Sequence, residues 1–242
     1  GPYTSDNQMG FFEGSKDLNT LSFYLRTEYL MFQKLKLIAA VRNDIYNKPD
    51  DDYFSFQFGG SYKVDDKNLL RVVYSRANQG PFMLDTYTNL KFPVFPPNVF
   101  FELYGNENLD LATSDMFEIG YRSKLTDKIQ ADFETFYSVT KDFAIAVVDK
   151  NNPLRAEYQN LPLKSRQFGL TGNLNLAISD KLRLKGFGTL QLTALEDLDT
   201  KIDHSDYGYD TVTYARVDLV HKSTPTFYGG AMVNYTDRKS VV

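Results

Sequence analysis

The chain contains no cysteine, no tryptophan and only two histidines. No apolar run in it approaches the roughly 20 residues of a membrane-spanning helix. Without cysteine there are no disulfides, zinc-thiolate sites or cysteine nucleophiles. There is no basic excess either: 27 Lys and Arg stand against 31 Asp and Glu, a formal net charge of −4 that leaves no footprint for nucleic acid. A nucleophile elbow, a phosphate-binding glycine loop and a zinc signature are all missing, and no secretion leader is expected within these residues. Both histidines fall in the last long loop. There Asp203-His204-Ser205-Asp206, with Asp197, Asp199 and Asp210, matches no EF-hand spacing and reads as a solvated acidic loop. His221, beside Lys222, has no candidate partner. The expectation is therefore no catalytic residue, no metal and no cofactor.

What the chain does have is aromatic side chains, 17 Tyr and 19 Phe in 242 residues, and stretches in which apolar and polar residues alternate, strictly so at Phe54, Phe56 and Phe58. Alternation at a period of two marks strands with one apolar and one wet face. Leu21, Phe23, Leu25, Thr27 and Tyr29 form the apolar parity of a first strand, and Leu35, Leu37, Ala39 and Val41 that of a second. The third sets Phe54, Phe56, Phe58 and Tyr62 against Ser55, Gln57, Gly59 and Ser61, and the fourth, about Leu69 to Ala77, sets Leu70, Val72 and Tyr74 against Arg71 and Ser75. Phe117, Ile119 and Tyr121 lead through a turn at 125–128 into Ile129, Ala131, Phe133, Thr135, Tyr137 and Val139. Another hairpin carries Phe168, Leu170 and Leu174, then Leu182, Leu184, Leu190 and Leu192. A last strand runs from about Phe227 to Tyr235.

Tight turns near 33, 66, 126, 179 and 237 alternate with longer or proline-bearing connections near 49, 78–113, 141–163 and 195–225, the last three read as irregular loops. Strands of nine to eleven residues joined in this asymmetric way suit a transmembrane antiparallel up-and-down β-barrel, which escapes hydropathy tests because only alternate residues face lipid. Tyr29, Tyr62, Tyr121 and Tyr235 share the apolar parity and sit beside short turns, where an aromatic girdle at the headgroups belongs. The opposite parity carries both charge signs, with Arg26, Arg42, Arg71, Glu118, Arg122 and Glu134 expected to face the lumen. Tyr87, Phe100, Phe101, Tyr104, Tyr207 and Tyr209 are the loop candidates for ligand contact.

Two stretches carry a resemblance. Gly105, Asn106 and Leu109 followed by Glu118, Gly120, Tyr121 and Arg122 resemble a loop-to-strand signature of the TonB-dependent outer-membrane receptors of Gram-negative bacteria. Glu107 and Leu111 stand where prolines are usual there, and Ala112 where a glutamate is usual. Upstream, Arg71, Tyr74, Ser75, Arg76, Ala77 and Pro81 fit the family's strand exit. The resemblance implies a single barrel segment over residues 1–242, about nine strands from the C-terminal half of a roughly 22-stranded barrel. The plug domain, TonB box and terminal strands are expected to lie outside these residues. It also implies energy-coupled uptake of a scarce nutrient, such as a siderophore, haem, cobalamin or glycan. The implied partners are outer-membrane lipid, the rest of the barrel, the TonB complex through the plug, and a surface lipoprotein. The alternatives are a passive outer-membrane channel, a membrane-embedded enzyme using His204 and loop carboxylates, and a soluble secreted glycan-binding β-protein. The last of these requires the Phe54/Phe56/Phe58 face to be covered by a second sheet.

Overall fold

The computed structural model describes residues 14, 16–94, 98–197 and 224–235. Nine long strands form one antiparallel sheet in the order β1 (Thr20–Met31), β2 (Leu35–Tyr46), β3 (Asp51–Lys63), β4 (Asn68–Asn78), β7 (Thr113–Lys124), β8 (Ile129–Lys141), β11 (Leu163–Ala177), β12 (Leu182–Asp197) and β13 (Thr224–Tyr235). Each is hydrogen-bonded to its neighbour in this series, as in a barrel wall unrolled. Register keeps the two parities apart across the whole sheet. Phe58, Tyr74, Phe117, Tyr137, Phe168 and Leu192 are successive partners in one unbroken row.

That row is bare. Leu25 is 67% exposed, Phe58 47% and Phe133 54%, and among the described residues no second layer covers them. A soluble sandwich would bury this face, so the soluble alternative falls. The apolar positions of β11, from Phe168 to Ile178 just past the strand end, span about 25 Å of height at a tilt of roughly 40°. The same holds for Ile129 to Val139 on β8. That height is the hydrocarbon thickness a barrel must match.

Among the described residues, three of the four wall turns at the end away from the long loops close by one device, a side-chain oxygen accepting backbone N–H groups two and three residues on. Asp65 takes Lys67 and Asn68, Thr126 takes Lys128 and Ile129, and Ser179 takes Lys181 and Leu182. The fourth, between β1 and β2, turns through Phe32 and Gln33, both at positive φ (51° and 57°), the geometry of a tight hairpin.

The loops depart from the sequence reading. The stretch Asn78 to Thr113, expected to be irregular, holds α1 (Met83–Tyr87), β5 (Asn89–Val94) and β6 (Val99–Tyr104); Lys141 to Leu163 holds β9 (Ala144–Asp149) and β10 (Asn152–Asn160). These strands make a second sheet in the order β5-β6-β10-β9, and β6 and β10, from different loops, pair in parallel. Pro93 is tolerated because β5 is an edge strand. The third long loop is strand at both ends, β12 reaching Asp197 and β13 starting at Thr224. His204, His221, the acidic cluster around them and the turn near 237 lie outside the described residues. Buried apolar residues concentrate where the loops meet the wall: Leu109, Leu111, Val147, Ala156, Leu161 and Leu163, the last 2% exposed. The core of this chain sits under its loops, while the wall keeps its apolar side for a solvent of hydrocarbon.

Candidate functional site

The polar face is a lattice of cross-strand ion pairs. Arg71 of β4 reaches Glu118 on β7 and Glu134 on β8, the latter at 2.5 Å, and so bridges three strands. Arg122 pairs with Asp132, which also accepts from Gln130 at 3.2 Å. Arg42 pairs with Asp44 at 2.8 Å, and Glu28 holds both Arg26 and, at 2.6 Å, Lys36. Arg71, Arg122, Asp132, Glu134, Asn173 and Lys185 surround a concavity of about 450 Å³. Acids on one strand face bases on a neighbouring strand, as Arg71 faces Glu118 and Glu134 and Arg122 faces Asp132, so this surface suits water or another polar surface. It offers neither a nucleophile with an adjacent base nor, among the described residues, a cluster able to hold a metal ion.

The second feature is the cap formed by the two interlocked loops. Gly105 packs so closely on α1 that a Cβ there would lie 2.6 Å from backbone atoms of Thr86 and Thr88. Its N–H donates to Thr88 O, and the Asn106 N–H donates to Asp85 O at 2.8 Å. The Asn106 amide crosses to the other loop, donating to Tyr158 O at 3.2 Å. Asn160 returns the link: its Oδ1 accepts from Asp110 N–H at 2.8 Å while its Nδ2 donates to Asp110 O and Asp142 O. Two of the residues that carried the family resemblance, Gly105 and Asn106, thus belong to the knot that ties the two loops together. Two departures from the family pattern have partners. Glu107 pairs with Lys48 at 2.8 Å, and Leu111 donates its N–H, which a proline lacks, to Tyr53 Oη.

The described loop aromatics are engaged inside this cap. Tyr87 Oη donates to Asp17 O, Phe101 packs on Phe92 at 5.2 Å, Lys91 lies over Phe100, and Tyr104 stacks under Arg155 at 4.9 Å while donating to Glu102. Tyr207 and Tyr209 lie outside the described residues. A cavity of about 180 Å³ under the cap is lined by Phe82, Asp85, Leu109, Asp110, Asp142 and Ile145. Burial pushes the Asp85 carboxyl up from its ordinary value, so the folded cap favours its neutral form. The stability linked to it is present at low pH and lost as pH rises through the raised pKa. Asp85→Asn is therefore expected to slow amide exchange in β6 and β10 at neutral pH and to leave it unchanged in acid.

Tyr29, Tyr62, Tyr121 and Tyr235 lie on the bare apolar face next to short turns, with Tyr62 and Tyr121 flanking Leu70 in one row. Arg26, Arg42, Arg71, Glu118, Arg122 and Glu134 lie on the opposite face. Reading by parity missed the aromatics among those charges. Phe136 lies flat over Gly169, where a Cβ would come within 2.2 Å of the ring, and Phe187 covers Gly230. A glycine in register with an aromatic on the same face is the signal that finds them. Also missed were the cations that end the apolar parity near the loops: Arg76, which grips Asp115 through two 2.8 Å bonds, and Lys141, Lys164 and Arg166.

A bare apolar band, a charged opposite face, and short turns at one end with capped loops at the other define the wall of an outer-membrane β-barrel. Consistent with this, the family described as TonB dependent receptor-like, beta-barrel matches residues 1–240, and the chain belongs to that family. In fold it is similar to the ferric enterobactin receptor of Pseudomonas aeruginosa solved with enterobactin (TM-score 0.60, 17% identity, 97% of this chain and 41% of that one). It is likewise similar to the siderophore receptor PirA from Pseudomonas aeruginosa (0.59, 18%, 76% and 38%) and to the RagAB peptide transporter (0.56, 15%, 74% and 22%). The chain therefore spans well under half of each of these proteins. No curated protein matches its sequence.

Proposed function

We propose that this chain supplies wall and cell-surface loops to a receptor that draws a scarce nutrient, such as a siderophore, haem, cobalamin or glycan, actively across the outer membrane. TonB would act through a plug contributed by the rest of the protein. The observation that supports this best is the pairing of a cross-linked cap with a lumen face on which Arg71, Glu118, Glu134, Arg122 and Asp132 are held in cross-strand ion pairs. Long loops face outward in such barrels, so the cap meets solute first. The charge lattice of Arg71, Glu118, Glu134, Arg122, Arg26 and Arg42 suits contact with a polar plug. Tyr87, Phe100, Phe101 and Tyr104 shape the cap from within and set which surface the solute meets. The four tyrosines near the short turns serve as the inner girdle. A surface lipoprotein seated on the cap is a further partner of this reading, which involves no covalent chemistry.

The test is uptake by cells carrying the full-length protein, with the gene for TonB present or deleted, during growth on each nutrient class as limiting source. Growth restored only with TonB is expected. Equal growth without TonB, together with steady conductance of the purified protein in planar bilayers, identifies a passive channel instead.

A further inference from the structure

We propose that Lys141, Lys164 and Arg166 form a binding site on the outside of the barrel for the phosphate of an outer-leaflet lipid. Lys141 follows Val139 on the apolar parity of β8, and Arg166 and Lys164 precede Phe168 on that of β11. All three therefore stand immediately beyond the apolar band of about 25 Å, at the depth of headgroups. Lys141 and Lys164 are direct cross-strand partners. Like charges placed opposite each other destabilise a sheet, so the pair needs an anion between its ammonium groups. The protein provides only partial compensation. Glu196 of β12 serves Arg166 at 3.1 Å and Lys164 at 3.8 Å, and Asp142 lies 3.3 Å from Lys141. Three cations share Glu196 and Asp142, with Asp115 acting on Lys141 from farther off while it grips Arg76, and Phe168 and Tyr137, partners in the next row of that face, offer an apolar surface for acyl chains below. Arg76 is excluded from the site because Asp115 saturates its guanidinium fork.

The inference rests on the loop end facing the outer leaflet, as proposed above, and is independent of what the receptor carries. The test uses the full-length protein in detergent with lipid A as probe, read by native mass spectrometry. A lipid A adduct is expected that persists in the charge-keeping variant K141R/K164R and falls at least about tenfold in K141Q/K164Q/R166Q, since each basic residue at a membrane surface adds attraction to anionic lipid. Glu196→Gln removes the competing carboxylate and is expected to raise retention. Dephosphorylated lipid A is expected not to bind, and inorganic phosphate not to displace the adduct. Equal retention by the glutamine variant, equal binding of the dephosphorylated lipid, or displacement by inorganic phosphate each overturns the proposal. Loss of the lipid site with TonB-dependent uptake intact leaves the transport reading standing.

Discussion

Phe133→Arg is expected to lower the stability of the folded barrel in lipid vesicles by about 1–4 kcal/mol, the cost of a guanidinium on the lipid face between the girdle and the bilayer midplane. Phe133 lies in the middle of β8, 54% exposed on the apolar face. Its partners there are Tyr121 and Gly172, neither of which carries a compensating negative charge. The contrasting variant is Asn175→Arg, which adds the same group beside the polar concavity, where Asp132 and Glu134 also line the wall. It is expected to change stability by less than about 1 kcal/mol, the range of an exposed charge pair. Denaturant-driven unfolding from vesicles reads both. Equal costs for the two variants contradict the assignment of one wet and one lipid face.

Gly105→Ala is expected to cost the cap about 1–3 kcal/mol or more, because the added methyl group meets main-chain atoms of Thr86 and Thr88 that cannot swing aside. Asn160→Leu attacks the same joint from the other loop. It removes three hydrogen bonds, each worth about 0.5–1.5 kcal/mol, and strands the backbone groups of Asp110 without partners. Both variants are expected to speed amide exchange across β6, β9 and β10 while the nine-stranded sheet keeps its protection. A wall that loosens together with the cap shows that the two are one cooperative unit and refutes this separation.

The wall was legible in the chain because its signal is long. Phe54, Phe56 and Phe58, or Phe133, Thr135 and Tyr137, keep one parity over many residues, and no other regular structure has that period. The cap was not legible, for the opposite reason. Its strands are as short as six residues, carry Pro93 and Pro153, and are joined into one sheet only by the pairing of β6 with β10 across about fifty positions; Asn106 finds Tyr158 across a separation of 52. Local pattern carries no trace of such a contact. Lys141, Lys164 and Arg166 were lost at the boundary between the two regimes, where a strand was judged to stop once its apolar residues stopped. The hydrogen-bond ladder runs on past them, since Lys141 still pairs with Lys164. Phe136 and Phe187 were overlooked among charged neighbours because a ring on a wet face looks like noise until the glycine beneath it is seen.

The parallel seam between β6 and β10 makes two loops into one leaf hung on two hinges. At one hinge Gln79 N–H meets Ala112 O and Thr113 Oγ1 meets Asn78 Oδ1; at the other Leu161 N–H meets Phe143 O. Neither loop can lift without carrying the other, so on the reading proposed above the cap would swing as one door and not part as separate curtains. On that reading, much of the disorder that an arriving solute would otherwise have to quench has already been removed during folding.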